Sequence, residues 1–215
     1  MSKKMMALVL AVVSAACFAL PTVAAAQEIH IEPAESFTVS STGGEVRAEG
    51  EPTVTCTALG GSGSFNAGST TTGTITRDYT GCHTAVFGFT ATCKSEGAEF
   101  AGTVANSGTF HLITISSGVP GILMTTNPTK LVCAGISSIT ITGNMIGTII
   151  SPKCGEMNKT LTVSFTASGN TQNHLSYTGG KYDLVAQTND GVSKTAAMAG
   201  SATNTQANAG KLNCT

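Results

Sequence analysis

The chain has 215 residues, of which 11% are charged, and a formal net charge of -1. So sparse and balanced a charge offers no electrostatic footprint for nucleic acid or anionic lipid, and neither partner is expected. The polar surface must then consist of Thr, Ser, Asn and Gly, a composition that suits an exported β protein.

Taken in order, residues 1–26 read as a secretory signal peptide. Lys3 and Lys4 precede an apolar run from Ala7 to Leu20, and Ala24-Ala25-Ala26 precede Gln27. Small residues there satisfy the A-x-A rule, so cleavage is expected between Ala26 and Gln27. The run is shorter than the ~20 residues of a membrane span, and Pro21 follows it directly. A lipid-modified Cys17 is the competing reading. It is weakened by Ser14, which stands where a large aliphatic residue is expected. No later run reaches spanning length, so no transmembrane segment is expected.

Residues 27–50 read as a leader or edge hairpin, and 51–215 as a single β domain. Phe37 and Val39 alternate with polar residues, Gly43-Gly44 gives a turn signal, and Val46 and Ala48 alternate with charge. Thr53–Leu59 reads as a strand with Val54, Cys56 and Ala58 on one face. Gly60–Ser64 (GGSGS) resembles a linker, but alternation resumes on both sides, so a glycine-weakened strand or turn is expected. Thr72–Tyr79 and Ala85–Cys93 follow as strands, the latter with Phe87, Phe89, Ala91 and Cys93 sharing a face. Phe100–Ala105 and Thr109–Ile115 come next, joined by Asn106-Ser107-Gly108; Phe110 and Leu112 oppose His111, Ile113 and Ile115.

Gly121–Thr126 and the stretch Leu131–Ile150 (LVCAGISSITITGNMIGTII) form the most apolar and β-branched part of the chain. This stretch is expected at the centre of an antiparallel sheet, because Ile and Thr fit a pleated surface better than a helix. Two readings of it stand: a hairpin turning at Gly143-Asn144, or one strand running through with Gly143 and Gly147 as bulges or bends. Leu161, Val163 and Phe165 alternate cleanly with Thr and Ser. Lys181–Ala186, Lys194–Thr203 and Gly210–Thr215 close the chain as strands, with a helical turn over Thr195–Ala199 as a minor alternative. Turn residues about every ten positions predict an all-β antiparallel meander of eight or more strands, forming a barrel or a sandwich.

Six cysteines follow the expected cleavage point: Cys56, Cys82, Cys93, Cys133, Cys154 and Cys214. An even count in an exported chain predicts three structural disulfides. The absence of any C-x-x-C spacing argues against a metal site. Spacing alone leaves the connectivity open. Cys82 and Cys93 flank a short segment that folds back readily. Cys133 and Cys154 are equidistant from Gly143-Asn144, and Cys56 and Cys82 from Gly68-Ser69.

The motif order VTCTALGGSGSF (54–65), TGTITRDYTGC (72–82), CKSEG (93–97), FHLITI (110–115), GILM (121–124), LVCAG (131–135) and ITITGNMIGTI (139–149) resembles uncharacterised small exported β-rich proteins of high-GC Gram-positive bacteria. The resemblance covers about Val54 to Phe165. It implies an exported β domain and carries no activity. It also implies the pairs Cys82–Cys93, Cys154–Cys214 and Cys56–Cys133.

Catalytic constellations are not legible. No G-x-S-x-G elbow occurs, and His30, His83, His111 and His174 are widely spaced. His111 reads as a hydrogen-bonded core or rim residue, His83 as part of a surface turn. Asp78, Glu99 and Asp183 are isolated, whereas glycoside hydrolysis needs two facing carboxylates. Asn189-Asp190-Gly191 reads as a turn before it reads as a calcium ligand set. With no Trp and three Tyr, lectin-like stacking is disfavoured. No catalytic residue, cofactor or metal is therefore expected. The expected function is that of a non-catalytic exported module of the cell envelope or extracellular space, binding an envelope protein, a glycan or itself. The alternative is a small-ligand carrier or enzyme using a barrel mouth.

Overall fold

The computed structural model describes residues 29–116, 119–134, 138–177, 180–181, 184–188 and 191–214. The signal-peptide reading, the Ala26–Gln27 cleavage point, Tyr182, Asp183, Asn189 and Asp190 lie outside the described residues.

The described residues form strands and turns, without helix. The first part comprises β1 (Ile29–Glu32), β2 (Phe37–Ser41), β3 (Gly44–Ala48), β4 (Val54–Cys56), β5 (Ala58–Phe65) and β6 (Thr72–Thr80). Next come β7 (His83–Val86), β8 (Phe89–Ser95), β9 (Val104–Ser116), β10 (Val119–Cys133), β11 (Ile139–Ser151) and β12 (Met157–Phe165). Four two-residue strands follow, β13 (Ala167–Ser168), β14 (Thr171–Gln172), β15 (Ser176–Tyr177) and β16 (Gly180–Lys181), then β17 (Leu184–Thr188) and β18 (Ser193–Cys214).

The pairing closes on itself. At one level hydrogen bonds run β18–β2–β5–β6–β9–β10–β11–β12 and back to β18. At the other level they run β18–β3–β4–β7–β8–β10–β11–β17 and back to β18. All these pairs are antiparallel, and β10, β11 and β18 belong to both rings. The registers place β2 and β3 end to end along β18, β4 and β5 end to end along them, and β7 in line with β6. The molecule is therefore one barrel whose wall is eight strands around at either level. This is the antiparallel all-β meander expected from the sequence, in its barrel form.

Several local expectations change. Gly43 (φ +112°) does not turn a hairpin, because β2 and β3 do not pair with each other; it kinks a single line of chain. A Cβ at Gly43 would lie 2.1 Å from the Cys56 carbonyl oxygen, so only glycine allows that approach. GGSGS lies in the wall as part of β5, paired to β2 and β6. Asn106-Ser107-Gly108 does not break the chain, since β9 runs through it. Phe100 lies in a turn ahead of β9, and the strand there begins at Val104. Of the two readings of the central stretch, the through-strand holds: β11 begins at Ile139 and passes Gly143 and Gly147, and its antiparallel neighbour β10 ends at Cys133. The two terminal strand signals fuse into β18, which is strand over Thr195–Ala199.

Alternation sorts the side chains. On β6, Ile75, Arg77 and Tyr79 point inward while Thr74, Thr76 and Asp78 are exposed. The interior core runs through both rings and includes Phe110, Ile122, Leu131, Ile141, Met145 and Val163. Rings of Phe37, Phe65 and Phe110 meet edge-on near one end, with centroids 5.1 to 6.1 Å apart. A second, outer cluster joins Ile113, Leu123 and Ile146, with Ile115 and Tyr177 of β15 against it. Strands β9 to β11 thus bury apolar residues on both faces, which explains their near-continuous hydrophobicity.

Candidate functional site

Two places on the barrel combine unusual chemistry with defined geometry. The first is the β7–β8 hairpin. Val86 pairs with Phe89 across a two-residue turn of Phe87 and Gly88, both at positive φ (49° and 82°), as a type I′ turn requires. Ala85–Cys93 is therefore not one strand: Phe87 sits in the turn, while Phe89, Ala91 and Cys93 do share a face of β8, Phe89 at its exposed end. Phe87 is 97% exposed and Phe89 78%. A bulky residue in the left-handed region is a genuine conformational outlier. Burial does not compensate for it here, because the ring stands in solvent. From Thr84 to Thr92 the hairpin carries no charged residue.

The base of this hairpin is held by sulfur. The register of β7 with β8, continued by one step, sets Cys82 opposite Cys93; the Cys93 N–H donates to the Cys82 carbonyl at 2.9 Å. The β4–β7 register likewise sets Cys56 opposite Cys82, and Cys93 pairs directly with Cys133. Four cysteines therefore form a row across neighbouring strands, and the bonds are Cys56–Cys82 and Cys93–Cys133. This corrects the pairs Cys82–Cys93 and Cys56–Cys133. Bonding the middle two would strand the outer two three interstrand spacings apart, about 14 Å, far beyond disulfide reach. Cys154–Cys214 is present as the resemblance implied. The hint joining Cys133 to Cys154 fails with the Gly143-Asn144 turn on which it depended.

The second place is inside the barrel. Arg77 is buried at 3% exposure. Its Nη2 donates to Asn106 Oδ1 and, at 3.4 Å, to Thr126 Oγ1; its Nη1 meets the Met124 sulfur at 3.9 Å. Asn106 is itself anchored, donating from Nδ2 to Thr129 Oγ1 and to the Asn127 carbonyl. Arg77 Nε has no partner. Tyr79, next on the same face, donates to the Met198 sulfur at 3.8 Å. Burial pushes the Tyr79 hydroxyl above its ordinary pKa of 10.0, while the neighbouring Arg77 charge and hydrogen bond pull the other way. Arg77 and Tyr79 border two cavities of about 50 and 40 Å³; a third, of about 30 Å³, lies near the phenylalanine cluster.

The remaining candidates stay apart. His30 lies on β1, His83 on β7, His111 on β9 and His174 after β14. His83 Nδ1 lies 2.9 Å from the Gly81 carbonyl, and His174 Nε2 lies 3.2 Å from Thr148 Oγ1. His111 is exposed on the outer face rather than in the core. Asp78 and Glu99 are exposed and isolated. Among the described residues no group of three His, Cys, Asp or Glu is placed to hold a metal ion. No helix among them is long and apolar enough to cross a membrane.

The sequence reading overlooked Arg77 and the aromatic tip. Period-two alternation from Ile75 to Tyr79 was enough to place Arg77 inward. Phe-Gly is a weaker hairpin signal than Asn-Gly, so from sequence Phe87 reads as a strand residue. No protein-family model matches the chain, and no curated protein or solved structure matches it either.

Proposed function

We propose that this chain is an exported, non-catalytic β module of the cell envelope or extracellular space, which binds a partner protein through the tip of the β7–β8 hairpin. The observation that carries this reading is the exposure of Phe87 and Phe89 on an uncharged turn whose two legs are each tied by a disulfide to a neighbouring strand. Ordering two rings in advance lowers the entropy lost on binding, and aromatic anchors surrounded by polar groups are the usual centre of a protein interface. Polar groups lie further down the hairpin: Thr92 is exposed on β8, and at the far end of that strand Lys130 pairs with Glu96 at 2.6 Å.

A glycan partner has less support, because the Phe87-Gly88-Phe89 tip offers no side-chain hydrogen-bonding group beside its rings. A lipid surface has less support because the charges near the hairpin base balance. A barrel-mouth carrier has less support because the interior cavities beside Arg77 reach only about 50 Å³, against the ~300–1,000 Å³ of ordinary ligand pockets, and a cavity of about 690 Å³ is lined mostly by exposed residues such as Thr38, Ser62, Thr74 and Thr76 rather than by the barrel interior.

The test is retention of envelope proteins on the immobilised oxidised chain, compared with its Phe87→Ser/Phe89→Ser variant. A protein held by the parent and released by a variant of unchanged Tm is the expected result. Equal retention by both, or tip-dependent binding to protein-free vesicles or purified glycan, would overturn the reading.

A further inference from the structure

Arg77 is a cation enclosed in the barrel without a carboxylate partner among the described residues. A buried charge is costly unless it is paired and its donors are satisfied. The partners of Arg77 are neutral: an amide oxygen, the Thr126 and Tyr79 hydroxyls and a thioether, and Nε–H is left without one. Tyr79 adds a hydroxyl whose acceptor is only the Met198 sulfur, and sulfur accepts weakly. Donors are thus in surplus around a cavity that Arg77 and Tyr79 both line. Glu45 also lines that cavity, but its carboxylate is engaged by Arg47. Burial keeps Tyr79 protonated, so it donates a hydrogen bond and does not neutralise the guanidinium.

We propose that this cavity is a binding site for a small monovalent anion of halide size, held by Arg77 Nε–H and the Tyr79 hydroxyl. A volume of about 50 Å³ exceeds the ~10–15 Å³ that one water requires. Water alone would satisfy the donors but leave the charge. An anion answers both needs, and the Val54, Val104, Leu131 and Ile141 side chains give the cavity apolar walls. Because the lining comes from strands far apart in sequence, the site exists only in the folded chain, and binding raises the stability of that state by mass action. The proposal is independent of the hairpin's role.

Bromide is the probe. Thermal unfolding of the oxidised protein is followed across sodium bromide concentrations, with sodium gluconate holding ionic strength constant. Tm is expected to rise with the logarithm of bromide concentration, and the slope to vanish in Arg77→Met. Should that variant fail to fold, Tyr79→Phe keeps the cation and is expected to shift the dependence to several-fold higher bromide. Crystals grown in bromide are expected to show an anomalous peak within hydrogen-bond distance of Arg77 Nε. Equal Tm in bromide and gluconate would overturn the proposal. So would a cavity holding only water, or a peak without bromide-dependent stability, which would mark an adventitious ion only.

Discussion

Gly63 and Gly60 are three positions apart on β5 and are predicted to respond oppositely to the same substitution. A Cβ at Gly63 would meet Phe37 Cζ at 2.3 Å, whereas nothing lies within 4 Å of one at Gly60. Gly63→Ala is expected to cost about 1–3 kcal/mol by overpacking. Gly60→Ala is expected to leave stability unchanged or raise it by about 0.4–1 kcal/mol, through the unfolded chain. Denaturant unfolding of the two variants checks this; equal effects would contradict the packing described. Tyr79 supplies a pH signature. Its folded pKa is raised by burial, so the folded state holds the proton more tightly than the unfolded state. Stability is then fully present below the ordinary tyrosine range near 10.0 and falls as pH rises from there through the higher folded value. Tyr79→Phe should flatten that alkaline decline. At this scale the sequence was partly readable. Alternation separated Phe110 and Leu112 from Ile113 and Ile115, as the two clusters confirm. The glycines of GGSGS were ambiguous because the reasons lie on other strands: a Phe37 ring against Gly63 and the Thr76 carbonyl against Gly61.

Elements show where local reading fails. Gly43-Gly44 and Asn106-Ser107-Gly108 look like turns, yet in both places the chain continues along an uninterrupted neighbour, β18 in one case and β6 in the other. Turn chemistry sets what the backbone can do; pairing partners far away in sequence decide whether it turns. The cysteines repeat the lesson. Cys82 and Cys93 do come opposite each other, as their spacing suggested, but each bonds outward because the row contains four. Peptide mapping of the unreduced protein should therefore recover Cys56–Cys82, Cys93–Cys133 and Cys154–Cys214; a Cys82–Cys93 peptide would contradict the register. Removing the first bridge with Cys56→Ser/Cys82→Ser should cost about 2–4 kcal/mol. Phe87→Asn should leave stability unchanged or slightly raised, since Asn tolerates the left-handed conformation better than Phe. A loss instead would mean the exposed ring supports the fold.

At the scale of the whole molecule, closure is what unites these features. A closed wall leaves no open edge to aggregate, and eight strands enclose a space that side chains just fill. That geometry makes Arg77 a charge buried inside the wall. The sequence identified the strand class and the strongly apolar character of Leu131–Ile150, because β10 and β11 are apolar on both faces, but in a closed wall that stretch is not a centre. It could not show closure, which depends on β18 reaching β2 and β3 on one side and β12 and β17 on the other. Amide hydrogen exchange on the oxidised protein tests that closure directly. Amides of β18 between Gly200 and Gln206, where the strand pairs with β12 and β2, are expected to exchange as slowly as those in the middle of β10 and β11. Fast exchange of that segment, with β2 or β12 behaving as a free edge, would contradict it.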